Sequence, residues 1–410
     1  MSTTEIFTDY QLWGDMSQWR DEVFALHHVA PIHRVEAEGV DPFWAVIGYD
    51  AVRDIERQPH LFTNGPEPVM GRRSDIEARK AQGGDIKTLI HMDDPQHSKY
   101  RRLTADWFKP ASMNRMTDRL DELSRVALEK MESFAGRCDF ATDVAQAYPL
   151  QVILDILGLP IEDYPRMLML TQQLFGAEDP DLQRESPDPE KMAAVILDFY
   201  MYFSGITQAR RDNPTEDLAT LIANGKIDGE AMPDLETMGY YTIVASAGHD
   251  TTSYAMTGGL KALIDNPAQL LLLQERPDLI NNAVEEMIRW TAPVRHFMRS
   301  ATADTEVAGQ QIRKGDWLYL SYLGANLDPK IFDNPLQFDV ARPNADRQIA
   351  FGYGVHFCLG AQLARMELRS LFTHLVPRLA SIKIDGEAMT SKTTFVGGQK
   401  RLPIRYALRT

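Results

Sequence analysis

Apolar side chains recur at helical spacing through Met116 to Phe134, Met192 to Ile206, Leu235 to Ile264 and Ala268 to Trp290. Each run predicts a helix with one face turned to a core. A further helical run extends from Ala361 to Leu375. Two short runs near the start, His33 to Glu38 and Phe43 to Tyr49, are separated by Gly39 and the Asp41-Pro42 pair, which predicts a small hairpin. Strand-like runs return at Thr305 to Tyr322 and Leu402 to Leu408. Between Gly176 and Pro189 an acidic stretch with Pro180, Pro187 and Pro189 reads as a mobile surface loop. The expected class is mainly α, an α+β pattern with small peripheral sheets.

A chain of 410 residues can bury a large core. It shows no Pro/Gly/Ser-rich linker, repeat or low-complexity run that would divide it, so a single domain over residues 1–410 is expected. Met1 to Trp13 mixes polar and isolated apolar residues and has neither a signal peptide's apolar core nor a membrane anchor. No later segment reaches a spanning length. These features predict a cytoplasmic protein with no membrane partner, and two cysteines, Cys138 and Cys358, fit a reducing compartment. The net charge of −15 argues against nucleic acid as a partner, since phosphate binding needs clustered basic surface.

Chemistry concentrates in the window Phe351-Gly352-Tyr353-Gly354-Val355-His356-Phe357-Cys358-Leu359-Gly360. Three glycines in nine positions allow sharp turns and close approach of backbone to a flat ligand. A cysteine leading into a helix gains from free N–H groups and the positive helix end, which favour thiolate over thiol. Taken without its neighbours, Cys358 would be a small buried hydrophobe. With them, the pattern F-G-x-G-x-H-x-C-x-G resembles the haem-binding signature of the cytochrome P450 family at every position. The resemblance implies a triangular helical fold, haem b between the central helix and the helix after the cysteine, and iron bound by Cys358 within a loop containing Phe351 and Gly352. It also implies that His356 reaches a haem propionate. Nothing around Cys138 suggests chemistry.

Other segments extend the likeness. Glu286 and Arg289 share a helix face three residues apart, an ordinary surface ion pair if taken alone. Followed by Pro335 to Arg342, they resemble the family's E-x-x-R pair and its joining arginine, a structural lock behind the thiolate. Asp94 and Pro95 suit a helix start, and His97 and Arg101 fall on one face beyond it. The family places these two on haem propionates, and Arg299 resembles another propionate arginine. Within the central run, Ala247-Gly248-His249-Asp250-Thr251-Thr252 holds residues that helix interiors disfavour. Taken alone this is a capped break. A Thr hydroxyl bonding back to the preceding turn can also open the helix there. Asp250 and Thr251 resemble the family's acid-alcohol pair that delivers protons during dioxygen activation, while His249 reads as a packing or solvent contact.

Trp290 to Val294, Phe297-Met298-Arg299 and Phe395 to Gly398 look like the bacterial class I branch that includes the terpineol hydroxylase. The resemblance implies a haem-thiolate monooxygenase drawing electrons from NADH through a reductase and an iron-sulfur ferredoxin. A haem-thiolate peroxygenase or isomerase, or a haem-based ligand-binding sensor, are the alternatives. Candidate pocket residues are Met167 to Leu170, Phe175, Val244, Ala245, Gly248, Val294, Phe395 and Val396. Their apolar character points to a small hydrophobic substrate, a monoterpenoid or an alkylaromatic. A basic patch of Lys99, Arg101, Arg102, Lys109, Arg365 and Arg369 is the expected ferredoxin face. Thr63 to Thr88 offers no assignable pattern.

Overall fold

The computed structural model describes residues 3–81, 87–175 and 189–409. The elements that position the site are, in chain order, strands β1 (Ile32–Val35) and β2 (Phe43–Val46), helix α1 (Tyr49–Glu56), β3 (Phe62–Thr63), α2 (Gln96–Ala105), α3 (Thr117–Ser133), β4 (Arg137–Asp139) and α4 (Ala147–Leu157). There follow α5 (Pro189–Asp212), α6 (Asp234–Ala247), α7 (Asp250–Asp265), α8 (Pro267–Glu275), α9 (Ile280–Thr291), β5 (His296–Ala301), β6 (Trp317–Ser321), α10 (Ala361–Arg378), β7 (Leu379–Ile384) and β8 (Pro403–Leu408).

Helical periodicity translates directly into burial. In α3 the buried positions are Leu120, Leu123, Ser124, Ala127, Leu128 and Met131, one stripe that packs on α10. The run from Ala268 to Trp290 is two helices rather than the one expected. Pro277 has no N–H to continue α8 and ends it after Glu275, and a short 3₁₀ turn leads into α9. The central run is likewise interrupted, at Gly248 and His249, between α6 and α7. The expected loop from Gly176 lies outside the described residues, apart from Pro189.

The early hairpin forms with Ile32 opposite Val46 and Val35 opposite Phe43. It is one edge of a five-stranded sheet in the order β1-β2-β6-β5-β3, with β2 and β6 parallel and the other pairs antiparallel. A second sheet, β7-β8-β4, meets the end of α3, where the Tyr406 hydroxyl donates to the Met131 carbonyl (2.5 Å). The segment Thr63 to Thr88, unassigned from sequence, contains a helix at Arg73–Ala81. Among the described residues, no helix is long and apolar enough to cross a membrane.

Candidate functional site

The cysteine loop is built by backbone geometry. Gly354 has φ +68°, and a Cβ there would lie 2.2 Å from the Glu56 carbonyl oxygen, so only glycine fits against the end of α1. The loop returns on itself through a hydrogen bond from the Cys358 N–H to the Phe351 carbonyl (2.9 Å), and α10 begins at Ala361. Cys358 faces a cavity whose lining also includes Phe351, Gly352, His356, His97 and Arg101. The thiol opens onto that cavity yet lies deep in the protein. Burial pushes its pKa up, against the pull of the Gly360 N–H, Arg101 and Arg365. The helix end therefore helps the thiolate, as expected, but does not outweigh desolvation.

Behind the loop, Glu286 is fully buried and accepts a forked pair from Arg289 (2.6 and 2.8 Å) and a third bond from Arg342 (2.9 Å). Arg289 also donates to the carbonyls of Asn326 and Pro335. The surface ion pair that spacing alone would suggest is thus an interior lock.

Positive groups gather on one side of the cavity. The rings of His97 and His356 lie 3.9 Å apart. Burial, with Arg101 beside it, pushes His97 down to about 4, and burial together with Arg299, His97 and Arg101 pushes His356 down to about 2. His97 Nδ1 is buried without a hydrogen-bond partner. Arg101 donates through Nη2 to the Phe357 carbonyl (2.6 Å), which ties α2 to the cysteine loop. Arg299 is not in the cavity lining. Its Nη2 donates to Glu56 Oε1 (3.0 Å), which also accepts from the Tyr322 hydroxyl (2.8 Å). Sequence reasoning missed Glu56, which lies 243 residues from Arg299 and has no motif of its own. The unpartnered Nδ1 of His97 and the Arg101 guanidinium, both lining the cavity, fit the propionates of a haem.

Opposite Cys358, the break between α6 and α7 forms the cavity's other face. A Cβ on Gly248 would meet Ile153 Cδ1 at 2.7 Å, and Gly248 lines the cavity. The Thr251 hydroxyl donates to the Ala247 carbonyl one turn earlier (2.6 Å), as expected, and both Thr251 and Thr252 line the cavity. Asp250 does not line it. Its carboxyl lies 3.3 Å from His249 Nδ1, and burial raises its pKa while His249 lowers it. His249 is fully buried, with Nε2 bonded to the Gln146 carbonyl (3.0 Å), so it is a packing contact and not a solvent contact.

Most of the remaining lining is apolar. Val244, Val294, Phe395 and Val396 take their expected places. Ala245 does not: it is buried in the core, on the far side of α6 from the cavity, because consecutive helical residues point about 100° apart. Met167 is also in the core rather than the lining, Leu168 packs against that core, and Met169 is exposed. The side chains of Leu170 and Phe175 lie outside the described residues. Leu89, Ile90, Phe297, Tyr322 and Glu367 line the cavity and were not foreseen; Phe297 stood within a quoted segment, but strand alternation at that point cannot be phased from sequence alone.

The cytochrome P450 family model matches residues 190–400, which hold the broken central helix, the Glu286 lock and the cysteine loop. The chain belongs to the cytochrome P450 family. It is 42% identical over 389 residues to cytochrome P450-terp of a Pseudomonas species, covering 92% of this chain and 90% of that one. It is 30% identical to linalool 8-monooxygenase of Pseudomonas putida (93% and 94% covered) and 33% identical to a steroid C26-monooxygenase of Rhodococcus jostii (98% and 84%). Among solved structures, a P450 of Novosphingobium aromaticivorans superposes with a TM-score of 0.92 at 41% identity, covering all of both chains. A Mycobacterium marinum P450 in complex with pseudoionone superposes with a TM-score of 0.88 at 28% identity over 98% of each chain. The protein is a P450 monooxygenase with haem b as its cofactor.

Proposed function

We propose that this P450 hydroxylates a small hydrophobic compound, a monocyclic monoterpenoid or an alkylaromatic, in the cytosol, with electrons from NADH carried by a reductase and an iron-sulfur ferredoxin. The observation that carries the substrate reading is the cavity facing Cys358, in which Leu89, Ile90, Val244, Val294, Phe297, Phe395 and Val396 supply apolar walls and Thr251 and Thr252 are among the hydroxyls. Such a wall binds by burial and orients by shape, and it rejects charged acids. The names of the Pseudomonas relatives support a terpenoid.

When bound, haem b supplies dioxygen activation and the insertion of one oxygen atom into a C–H bond. Cys358 Sγ would hold the iron, and ligation would overcome the burial that otherwise keeps the sulfur protonated. His97, Arg101 and His356 would take the propionates. Arg299 would join them while braced by Glu56. Thr251 Oγ1, its proton held on the Ala247 carbonyl, would turn its lone pairs into the cavity as an acceptor that positions a proton donor there, and Asp250 would supply protons from behind.

A panel of α-terpineol, linalool, p-cymene, palmitate and cholesterol, titrated against the purified haem protein, tests the reading. The compact hydrophobes should displace iron-bound water and shift the spectrum. A shift by palmitate or cholesterol alone would overturn it in favour of a longer substrate, the class that the steroid-oxidising relatives act on.

A further inference from the structure

His296 stands at the first position of β5, fully buried, and does not line the cavity. Both of its ring nitrogens are used. Nε2 lies 3.0 Å from the Met70 N–H, so it accepts, and Nδ1 lies 3.0 Å from the Thr394 carbonyl. Burial pushes the imidazole down to about 3, so at neutral pH it carries one proton, which the Met70 contact forces onto Nδ1. The ring stacks on Tyr319 at 4.2 Å and meets the edge of Phe395 at 5.6 Å.

These contacts join three chain segments that share no regular secondary structure. Around the same point Met298 donates its N–H to the Pro68 carbonyl (2.8 Å), Arg295 donates its N–H to the Phe395 carbonyl (2.9 Å), and Val294 bridges to Val396. The Arg295 guanidinium holds the Thr393 and Ser391 carbonyls. Backbone bonds therefore hold the strand to each neighbour, and His296 bonds both the 68–70 segment and the 393–396 segment through one rigid ring. Phe395, which lines the cavity, rests on that ring and on Phe297.

We propose that His296 is a specificity-determining positioning residue, a neutral clamp that joins Met70 and Thr394 and so fixes Phe395 as one wall of the substrate cavity. It touches no reacting atom. Its action is through the wall, and the inference rests on the reading of the cavity above Cys358 as the substrate site.

The test compares two iron-binding probes on the haem protein: imidazole, which needs little room, and 4-phenylimidazole, whose phenyl group must be accommodated by the apolar lining. In H296L both hydrogen bonds are lost and Phe395 loses one of the two rings it rests on. The dissociation constant for 4-phenylimidazole should rise about five- to tenfold relative to that for imidazole, the range a lost buried hydrogen bond supports. In H296Q, whose amide again offers one acceptor and one donor, the ratio should return to within about twofold of wild type. A merely structural role would lower the melting temperature and leave the ratio unchanged, and that result overturns the proposal. If H296L yields no haem-loaded protein, the same titrations on H296N, whose shorter amide can reach only one partner, decide by the same criterion. Failure of both probes to perturb the wild-type spectrum would instead overturn the reading of the cavity itself.

Discussion

At the scale of single residues, burial pushes several groups of the site toward their neutral form. Cys358 is one of them, and its ligand role is tested by C358S, which should lose the carbon monoxide difference band of ferrous haem-thiolate even if haem stays bound; a retained band would remove this sulfur from the iron. Thr251 is already committed to the Ala247 carbonyl as donor, so its lone pairs are what the cavity meets. Positioned proton-transfer groups are worth about 10²–10⁴-fold. T251A should therefore keep substrate binding and NADH consumption while product per NADH falls by roughly tenfold or more, with peroxide as the alternative product. Glu367 gives a pH signature of its own. It is buried, lines the cavity, has Oε2 unpartnered, and burial pushes its pKa well above the usual carboxylate range. The folded state thus holds a proton that the unfolded state releases near pH 4.3, by about the ordinary glutamate value. Stability is undiminished below that pH and falls as pH rises through it, toward the higher folded value. E367Q, which cannot ionise, should match the wild type in melting temperature below about pH 4 and exceed it by a margin that widens toward neutrality. Parallel melting curves across that range would refute the protonated state.

At the scale of elements, the meander from Asn326 to Arg342, which has little regular structure, is gathered on one buried carboxylate and holds the segment before the cysteine loop through the Ile349 N–H on Asn326 Oδ1 (2.9 Å). Glu286 accepts from Arg289, from Arg342 and from the Asp339 N–H (3.0 Å), while the two guanidiniums hold the carbonyls of Asn326, Asp333, Pro335 and Gln337. Breaking a buried pair by removing one partner costs about 3–5 kcal/mol, so E286Q should lower the unfolding free energy by that much, read as a lower urea midpoint, and weaken haem retention. An unchanged midpoint in urea would show the lock to be dispensable. Most of these elements were legible in the sequence because their signals are local. Helix α3 shows its stripe, the hairpin its Gly39 and Pro42 turn, and the cysteine loop its glycines. The stop at Pro277 was legible too and was overridden by the apolar periodicity that continues on both sides of it. Long-range partners were not legible. Glu56 reaches Arg299, and Glu285 reaches Arg365 (2.5 Å), across 243 and 80 residues, and no spacing rule relates them. The same limit explains Ala245, whose helix was correctly read but whose rotation about its axis is set by what packs against it.

At the scale of the molecule, a chain of net charge −15 must still receive electrons, and the structure narrows where. The basic face expected from sequence is smaller than the residue count suggests. Arg365 is engaged with Glu285, Lys99 with Asp228 (2.5 Å), Lys109 with Asp106 (2.5 Å), and Arg101 points inward to the Phe357 carbonyl. Arg369 is only partly exposed. Arg102, next to Arg101 on α2, is turned outward, and Arg57, which pairs with Asp54 (3.3 Å), is exposed beside Tyr353 in the cysteine loop, whose ring lies 5.1 Å from its guanidinium. Phe357, immediately before Cys358, is 40% exposed, and its carbonyl accepts from Arg101 on the same helix as Arg102. An acidic ferredoxin docking there would be steered by a few charges against an otherwise repulsive surface, so its encounter rate should fall steeply with ionic strength. R102E should slow reduction several-fold at low salt and converge with wild type at high salt, because a rim charge acts on association and not on the folded state. R365E should behave differently: it breaks the Glu285 pair inside the protein, so its loss should persist at high salt and come with a lower melting temperature. If R102E leaves the low-salt rate unchanged in stopped-flow reduction, the donor docks on another face.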